Sequence, residues 1–224
     1  MASVLWDTTF SEPALSQIDQ LSDPAGGTLT LTSSGPVYAG SNVLEILTRS
    51  VTPQTGDAVA LRRGLPATAY ARLRYEVWVS QVSGIDLHRV FILAGHRYRD
   101  VNEFYEPAVR WDWFSGVIQS SLGYPDPAVG IPYKDGSDRT DWVTHYTYSP
   151  TPFAINDWRY LAMDIDYERK VLLSVAVDGF IVAVNRALQP SGFSQIGSYV
   201  WVGVATRSAS QTGAHIGRVR VTAL

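Results

Sequence analysis

The segment from residue 109 to residue 149 combines aromatic, carboxylate and guanidinium side chains. Flat aromatic rings can stack on the apolar C–H face of a pyranose sugar, while polar groups hydrogen-bond to its hydroxyls. The candidate ligand-binding residues are Trp111, Trp113, Tyr124, Tyr133, Asp138, Arg139, Asp141, Trp142 and Tyr146. Together they predict a carbohydrate-binding surface; the alternative is that the aromatic rings form a small core within this segment.

Two elements must position these side chains. Residues 109–114 have the pattern of a strand, with Trp111 and Trp113 on one face and Arg110 and Asp112 on the other. From about residue 119 to residue 149, prolines and glycines exclude a continuous central strand, so we predict a long loop. Loops of this length in compact domains are usually functional or disordered, and the aromatic content of this one argues against disorder.

Three carboxylates, those of Asp135, Asp138 and Asp141, lie in a turn-rich part of that loop. Hard cations such as calcium take oxygen ligands from segments of this kind. The spacing fits no EF-hand loop, however, and aspartate, glycine and serine are ordinary turn residues. The histidines lack paired spacing and the chain contains no cysteine, so zinc is not expected. We therefore predict no metal and no other cofactor, with calcium as the alternative.

Residues 158–188 carry the clearest structural pattern. Apolar and polar residues alternate from Leu161 to Glu168, which predicts a strand with one buried face. A charged turn follows, and the β-branched run from Val171 to Val177 predicts a second strand. Asp178-Gly179 then suits a two-residue hairpin turn, after which the chain returns as a third strand over residues 180–184.

This order of a tryptophan, an alternating strand, a charged turn and a β-rich strand ending in Asp-Gly resembles laminin-G-like and concanavalin A-like domains. In this sequence it reads Trp158, LAMDIDY, ERK and VLLSVAVDG, and the resemblance includes the closing residues 200–224. Those domains are jelly-roll β-sandwiches, and the same sandwich hosts lectins, glycosidases, lyases and adhesion modules. The resemblance therefore implies a fold and leaves the function open among those classes.

The rest of the chain agrees with that fold, because short predicted strands recur between turn residues and no long helical pattern appears. We predict an all-β fold, a two-sheet antiparallel β-sandwich of the concanavalin A-like jelly-roll type. A chain of 224 residues can bury a sufficient core without disulfides. We therefore predict a single domain over residues 1–224.

The run from Tyr70 to Val82 alternates with similar regularity. One face of this predicted strand is apolar, and the other carries Arg72, Arg74, Glu76 and Trp78. An outward row of this composition is a candidate binding face. Stacked cross-strand charges on a solvated sheet are the commoner reason for such a row.

Jelly-roll glucanases place catalytic carboxylates at alternate strand positions in the pattern E-x-D-x-E, and retaining chemistry requires two carboxyl groups about 5–5.5 Å apart. Asp164, Asp166 and Glu168 copy that spacing. The first position is aspartate rather than glutamate and the last falls at a turn, so we predict no catalytic residue. Motifs for serine acyl transfer, phosphate binding or dinucleotide binding are absent from the sequence.

Charge and hydropathy narrow the range of partners. The formal net charge is −3 and the pI is about 5.8, so neither nucleic acid nor an anionic membrane is expected as a partner. Apolar runs stay well below the ~18 residues of a membrane span, and the first residues lack the pattern of a cleaved signal peptide. We expect a soluble protein that is made in the cytoplasm.

These observations favour a non-catalytic recognition or attachment module that binds a glycan or cell-surface polysaccharide. The first alternative is a structural component of a larger assembly, such as a phage virion decoration or tail protein, which would contact other subunits. It is motivated by a chain that lacks a signal peptide yet resembles an extracellular type of module. The second alternative is a polysaccharide-degrading enzyme, either a glycoside hydrolase or a polysaccharide lyase.

Overall fold

A computed structural model describes residues 2–10, 20–22, 27–33, 36, 38–39, 42–49, 58–66, 68–99, 104–113, 116–121, 142–147, 157–190, 197–207 and 209–224. These residues form strands and no helix. The strands are β1 (Ser3–Thr8), β2 (Gln20–Ser22), β3 (Thr28–Thr32), β4 (Val43–Leu47), β5 (Ala58–Leu65), β6 (Arg72–Gln81), β7 (Arg89–Arg97), β8 (Phe104–Tyr105), β9 (Ala108–Asp112), β10 (Val117–Ser121), β11 (Val143–Thr147), β12 (Arg159–Asp166), β13 (Val171–Val177), β14 (Phe180–Ala187), β15 (Ser198–Ala205) and β16 (Gly213–Ala223).

The strands form two antiparallel sheets. Sheet A has the order β14-β13-β12-β6-β16-β4-β3, and β1 also pairs with β16. Sheet B has the order β11-β10-β9-β7-β15-β5-β2, and β8 also pairs with β7. Both sheets combine strands that are consecutive in sequence with strands from distant parts of the chain, such as β6 with β16 and β5 with β15, as in a jelly roll. The predicted all-β, two-sheet antiparallel sandwich is confirmed.

The three strands predicted between residues 158 and 188 are β12, β13 and β14. They pair in sequence order, and the turn between β13 and β14 has positive φ at both Asp178 (49°) and Gly179 (81°). Positive φ at both central residues is what a type I′ hairpin turn requires. The Asp-Gly pair therefore sets the register of this edge of sheet A.

The main core lies between the sheets and is filled by alternate residues of their facing strands. Leu73, Tyr75, Val77 and Val79 of β6 contribute from sheet A, as the alternation of that strand predicted. Sheet B contributes the residues that its strands turn inward: Val59, Leu61, Val90, Ile92, Ala94, Val109, Trp111, Ile118, Val200, Val202 and Val204. The outer face of sheet A consequently carries the charged residues of β6.

Sheet B is apolar on its outer face as well. Phe91 and Leu93 of β7 and Tyr199 and Trp201 of β15 alternate with inward residues, and all four are buried in a second cluster. Sheet B therefore buries apolar side chains on both faces. When a strand is apolar on both faces, its sequence pattern does not show which face points toward the core, because alternation no longer separates buried from solvent-exposed positions.

Candidate functional site

Trp111 in β9 and Trp113, just after the end of β9, lie on the same side of the strand, as predicted. That side faces the core. Trp111 is 0% exposed and packs between the sheets, with its ring centroid 4.1 Å from that of Trp113. Trp113 is partly buried against the same core, and its backbone N–H donates to the carbonyl of His88 at 2.7 Å. Burial of such large rings stabilises the sandwich. We therefore remove Trp111 and Trp113 from the candidate binding surface.

Trp142 directly precedes β11 and lies on the outer side of sheet B. Its ring packs against the second apolar cluster and is partly exposed. Of the other predicted residues, Tyr146 lies in β11, where its backbone pairs with Ile118, and the structure does not describe its side chain. The remaining predicted residues, Tyr124, Tyr133, Asp138, Arg139 and Asp141, lie outside the described residues.

Arg110 sits beneath Trp142, and its guanidinium carbon lies 4.0 Å from the centre of that ring. Arg110 is on the outer face of β9 because its neighbours Val109 and Trp111 point inward. The Arg110 Nε–H donates to the side-chain oxygen of Gln119 at 2.7 Å. Gln119 in turn donates to the hydroxyl of Thr144 at 3.1 Å.

The three hydrogen-bonded residues Arg110, Gln119 and Thr144 lie side by side on adjacent strands. Gln119 of β10 is the register partner of Arg110 on β9 and of Thr144 on β11. Side chains at paired positions project from the same face of a sheet. The result is a row of amide, hydroxyl and guanidinium groups across three strands, with Trp142 as an aromatic wall.

A second arginine lies on the same outer face, on β5. The guanidinium carbon of Arg62 is 4.7 Å from the ring centre of Tyr199 and 5.7 Å from that of Trp201. The Tyr199 ring lies flat over Gly95, where a Cβ would collide with it. The Tyr199 hydroxyl donates to the buried carboxylate of Glu106. This pairing fixes the platform on which the partly exposed Arg62 rests.

Further charges stand at the end of the same face. The Asp112 carboxylate lies 3.1 Å from Arg89 Nε and 3.3 Å from an Arg207 Nη. Its alternation with Trp111 places Asp112 on the outer side of β9. Among the described residues named for this face, the arginines outnumber the carboxylates. The described residues of this face therefore carry an excess of positive charge, on a protein whose net charge is −3.

The carboxylate row of residues 164–168 belongs to sheet A and is engaged in local contacts. Asp164 accepts hydrogen bonds from Ser174 at 2.9 Å and Arg74 at 3.4 Å. Buried Asp166 accepts the backbone N–H of Arg169 at 2.8 Å, which closes the turn after β12.

Glu168 is exposed on that turn and forms an ion pair with Arg99 at 3.1 Å. Each carboxylate of the row thus has a partner within the fold. The described residues contain no group of three or more His, Cys, Asp or Glu side chains that could hold a metal ion. The predicted calcium alternative, residues 135–141, lies outside the described residues. No helix among the described residues has the length and apolarity needed to span a membrane.

Sequence reasoning named Trp142 as a candidate and did not name the other residues described here on the outer face of sheet B. The missed residues are Arg62, Arg110, Gln119, Thr144, Tyr199 and Trp201. The sequence of β9 carries a signal for Arg110, because its alternation correctly separates Arg110 from Trp111. The error lies in assigning the outer face to Trp111 instead of Arg110. For Arg62 and Trp201 the sequence carries no such signal, because they become neighbours only through the pairing of β5 with β15, about 140 residues apart along the chain.

Comparison with known proteins gives matches at the level of structure. No protein-family model and no curated protein sequence matches the chain. A solved structure of the carbohydrate esterase vb_24B_21 from the Shiga toxin-encoding bacteriophage phi24B is 12% identical, with a TM-score of 0.60 over 100% of this chain and 99% of that one. A marine alginate lyase from Aplysia kurodai is 10% identical, with a TM-score of 0.57 over 98% of each chain.

The exoplasmic domain of VIP36, solved in a form bound to Ca²⁺ and Man3GlcNAc, is 11% identical, with a TM-score of 0.60. The match covers 97% of this chain and 88% of that one. These neighbours include a saccharide-bound domain and carbohydrate-active enzymes, so they share a fold and not one activity. The chain has the concanavalin A-like jelly-roll fold that its sequence predicted.

Proposed function

We propose that the protein is a non-catalytic carbohydrate-binding module whose ligand lies on the outer face of sheet B. The observation that carries this proposal is the hydrogen-bonded row of Arg110, Gln119 and Thr144, with the Trp142 ring over Arg110. The ring offers a flat apolar surface, and the row offers donors and acceptors spaced by the strands. A pyranose needs both, because its faces are apolar and its edge carries hydroxyls.

The row is already ordered before a ligand arrives. Arg110 is 9% exposed, and its guanidinium is held between the Trp142 ring at 4.0 Å and the Gln119 oxygen at 2.7 Å. Arginine ordinarily loses rotamer freedom when it binds a ligand, at a cost of about 0.5–1.5 kcal/mol for each immobilised side chain. Holding Arg110 in place reduces that cost and favours binding.

The charge of the face favours a glycan that carries carboxylate groups. Arg62 rests on two aromatic rings and Arg110 on a third, so both planar forks are held by apolar surfaces. A guanidinium matches a carboxylate through two parallel hydrogen bonds. A uronate-containing oligosaccharide would satisfy both the stacking and the charge.

The solved structures with this fold support a saccharide as the ligand class, since they include alginate lyases, a carbohydrate esterase and a domain bound to Man3GlcNAc. Within the proposal, Tyr124, Tyr133, Asp138, Arg139 and Asp141 belong to the segment that leads into Trp142 and would complete the site. Binding rather than catalysis is proposed because Asp164, Asp166 and Glu168 are engaged in contacts on sheet A.

A glycan array tests the proposal. We expect the purified protein to bind acidic oligosaccharides such as alginate fragments, and a Trp142→Ala variant to lose that binding while keeping its far-UV circular dichroism spectrum. An Arg169→Ala variant, altered at an exposed turn on sheet A, is the matched control and should bind as the wild type does. Clean absence of binding by the folded wild type would refute the proposal.

The assembly alternative retains one specific observation in its favour. β14 is an edge strand of sheet A that pairs with β13 and with no other described strand. Its first residues expose large apolar side chains, with Phe180 47% and Ile181 61% exposed. Exposed apolar edges invite pairing with another chain. A structural role predicts self-association that Ile181→Lys abolishes; a strictly monomeric wild type by light scattering would exclude association through this edge.

A further inference from the structure

Four aromatic rings form a connected group on the outer face of sheet A, on the opposite sheet from the proposed sheet-B site. We call this group the sheet-A platform; its members are Tyr38, Trp78, Trp158 and Tyr160. Trp78 belongs to the outward row of β6 that the sequence marked as a candidate binding face. All four side chains are partly exposed. The platform uses none of the residues of the sheet-B site.

The rings follow one another in short steps. Tyr160 of β12 is the register partner of Trp78 on β6, and their ring centroids are 4.9 Å apart. Tyr38 lies 6.3 Å from Trp78 and 4.9 Å from Trp158. Separations of this size are typical of direct ring-to-ring contact. The rings are tilted or edge-on to one another, with interplanar angles of 48°, 74° and 53°, so the four form one connected group of ring faces and edges.

Gly217 provides the floor of this surface. It lies in β16 where the pairing with β6 shifts register between Ile216 and Arg218. A Cβ at Gly217 would come within 2.6 Å of atoms in both the Trp158 and the Tyr38 rings. The missing side chain lets both rings approach the backbone of β16 closely, with the Tyr38 ring edge-on to the Trp158 ring at 74°.

Fixed polar groups border the rings. Arg218 donates two hydrogen bonds to the Asp7 carboxylate, at 2.8 and 2.7 Å, and its guanidinium carbon lies 5.2 Å from the Trp78 ring centre. Arg74 donates to the Tyr160 hydroxyl at 2.8 Å and to Glu76 at 3.1 Å. Such side chains lose little further freedom when a ligand arrives.

The border differs from the sheet-B face in its charge. Each of its two arginines faces a carboxylate within hydrogen-bond distance, so the charges are locally balanced. Balanced pairs leave both donors and acceptors at the rim and create little net field for an ion. Hydroxyl groups, which donate and accept, suit such a rim.

The platform also differs from a protein-docking patch. Among the described residues, the strongly exposed large apolar side chains are Val4, Phe180, Ile181 and Leu224, and none belongs to the platform. Protein interfaces usually place a desolvated apolar centre inside a polar rim. Partly exposed rings packed beside the backbone instead offer individual ring faces on which a sugar can stack.

From this geometry we propose that the sheet-A platform is a second carbohydrate site, selective for uncharged pyranose units. It goes beyond the sheet-B site in both location and ligand charge. Because the two sites lie on opposite outer faces of the sandwich, one protein molecule would link two glycan strands. Such bivalence would raise avidity for a polysaccharide network whose strands can reach both faces at once.

Titration calorimetry with mannotetraose, cellotetraose and maltotetraose tests the platform, and an alginate tetrasaccharide tests the sheet-B face in parallel. The wild type should bind at least one neutral tetrasaccharide with one site per chain. Trp78→Ala and Trp158→Ala should each weaken that binding tenfold or more and leave alginate binding unchanged. Arg110→Ala should do the reverse, and Phe180→Ala, at an exposed ring elsewhere on sheet A, should change neither.

Gly217→Ala gives a variant that keeps all four rings and moves two of them, and it should also weaken neutral binding. Circular dichroism and thermal melts show whether each variant is folded. Failure of the folded wild type to bind any of the three neutral probes would overturn the platform proposal, as would retained binding by both tryptophan variants. Self-association that depends on Trp78 would replace the glycan with a second copy of the chain. Since alginate binding is scored separately, either site can fail without the other.

Discussion

His96 gives the fold a dependence on pH that can be measured. Its side chain is 0% exposed in β7, where Nε2 lies 3.1 Å from the carbonyl of Tyr70 and Nδ1 lies 2.7 Å from the hydroxyl of Ser198. A carbonyl only accepts, so Nε2 carries the proton and Nδ1 accepts from Ser198. The neutral ring thus satisfies both contacts, and burial lowers the pKa of His96 to about 4.

The sign and size of the effect follow from that value. In the unfolded chain a histidine has a pKa of about 6.5, so between about pH 6.5 and about pH 4 the unfolded state takes up a proton that the folded state does not. Stability is therefore lost as the pH falls through this window. A pH of about 5 lies roughly 1.5 units below the unfolded-state pKa, so the free energy of unfolding is lower there than at neutral pH by about 2 kcal/mol.

Urea unfolding at about pH 7.5 and about pH 5 measures this contribution, and His96→Phe removes it. The variant is expected to be less stable than the wild type at neutral pH, because Ser198 and the Tyr70 carbonyl lose their partner. Its loss of stability on acidification should be smaller than that of the wild type by about 2 kcal/mol. Equal losses in the two proteins would refute the assignment of a neutral, buried His96.

Three further substitutions test the packing. The hydroxyl oxygens of the buried residues Tyr75 and Tyr167 lie 3.1 Å apart, and burial raises the pKa of both. Tyr75→Phe should therefore lower the free energy of unfolding in urea by about 1–3 kcal/mol. The double phenylalanine variant should lose less than the sum of the two single variants. Gly95→Ala should lower the melting temperature because the added methyl collides with the Tyr199 ring; an unchanged melt would show that this ring moves freely. Gly179→Ala, at a φ of 81°, should cost about 1 kcal/mol, and no loss would contradict the turn geometry.

The fold was predictable where the determining contacts are local. The β12–β14 meander rests on alternation and an Asp-Gly turn, both within about thirty residues, and β6 rests on its own period of two. Those signals need no knowledge of distant partners. They predict the strands of sheet A, which has one buried face and one solvent-exposed face.

The site was less predictable because sheet B has apolar side chains on both faces. In β9 the alternation separated Trp111 from Arg110 correctly, yet nothing in that strand indicated that the tryptophan side faces the core. Arg62 and Trp201 meet only through the pairing of β5 with β15. Register between strands so far apart in sequence depends on the whole sandwich and cannot be inferred from either strand alone.

Arg110 and Trp142 form the proposed binding surface, so the affinity for an alginate trisaccharide should depend on both side chains. Calorimetric titrations of the wild type, Trp142→Ala and Arg110→Lys should show at least a tenfold loss in each variant, because alanine removes the stacking surface and lysine removes the planar fork. Arg169→Ala should retain the wild-type affinity. Wild-type affinity in both site variants would show that the ligand does not bind this face of sheet B.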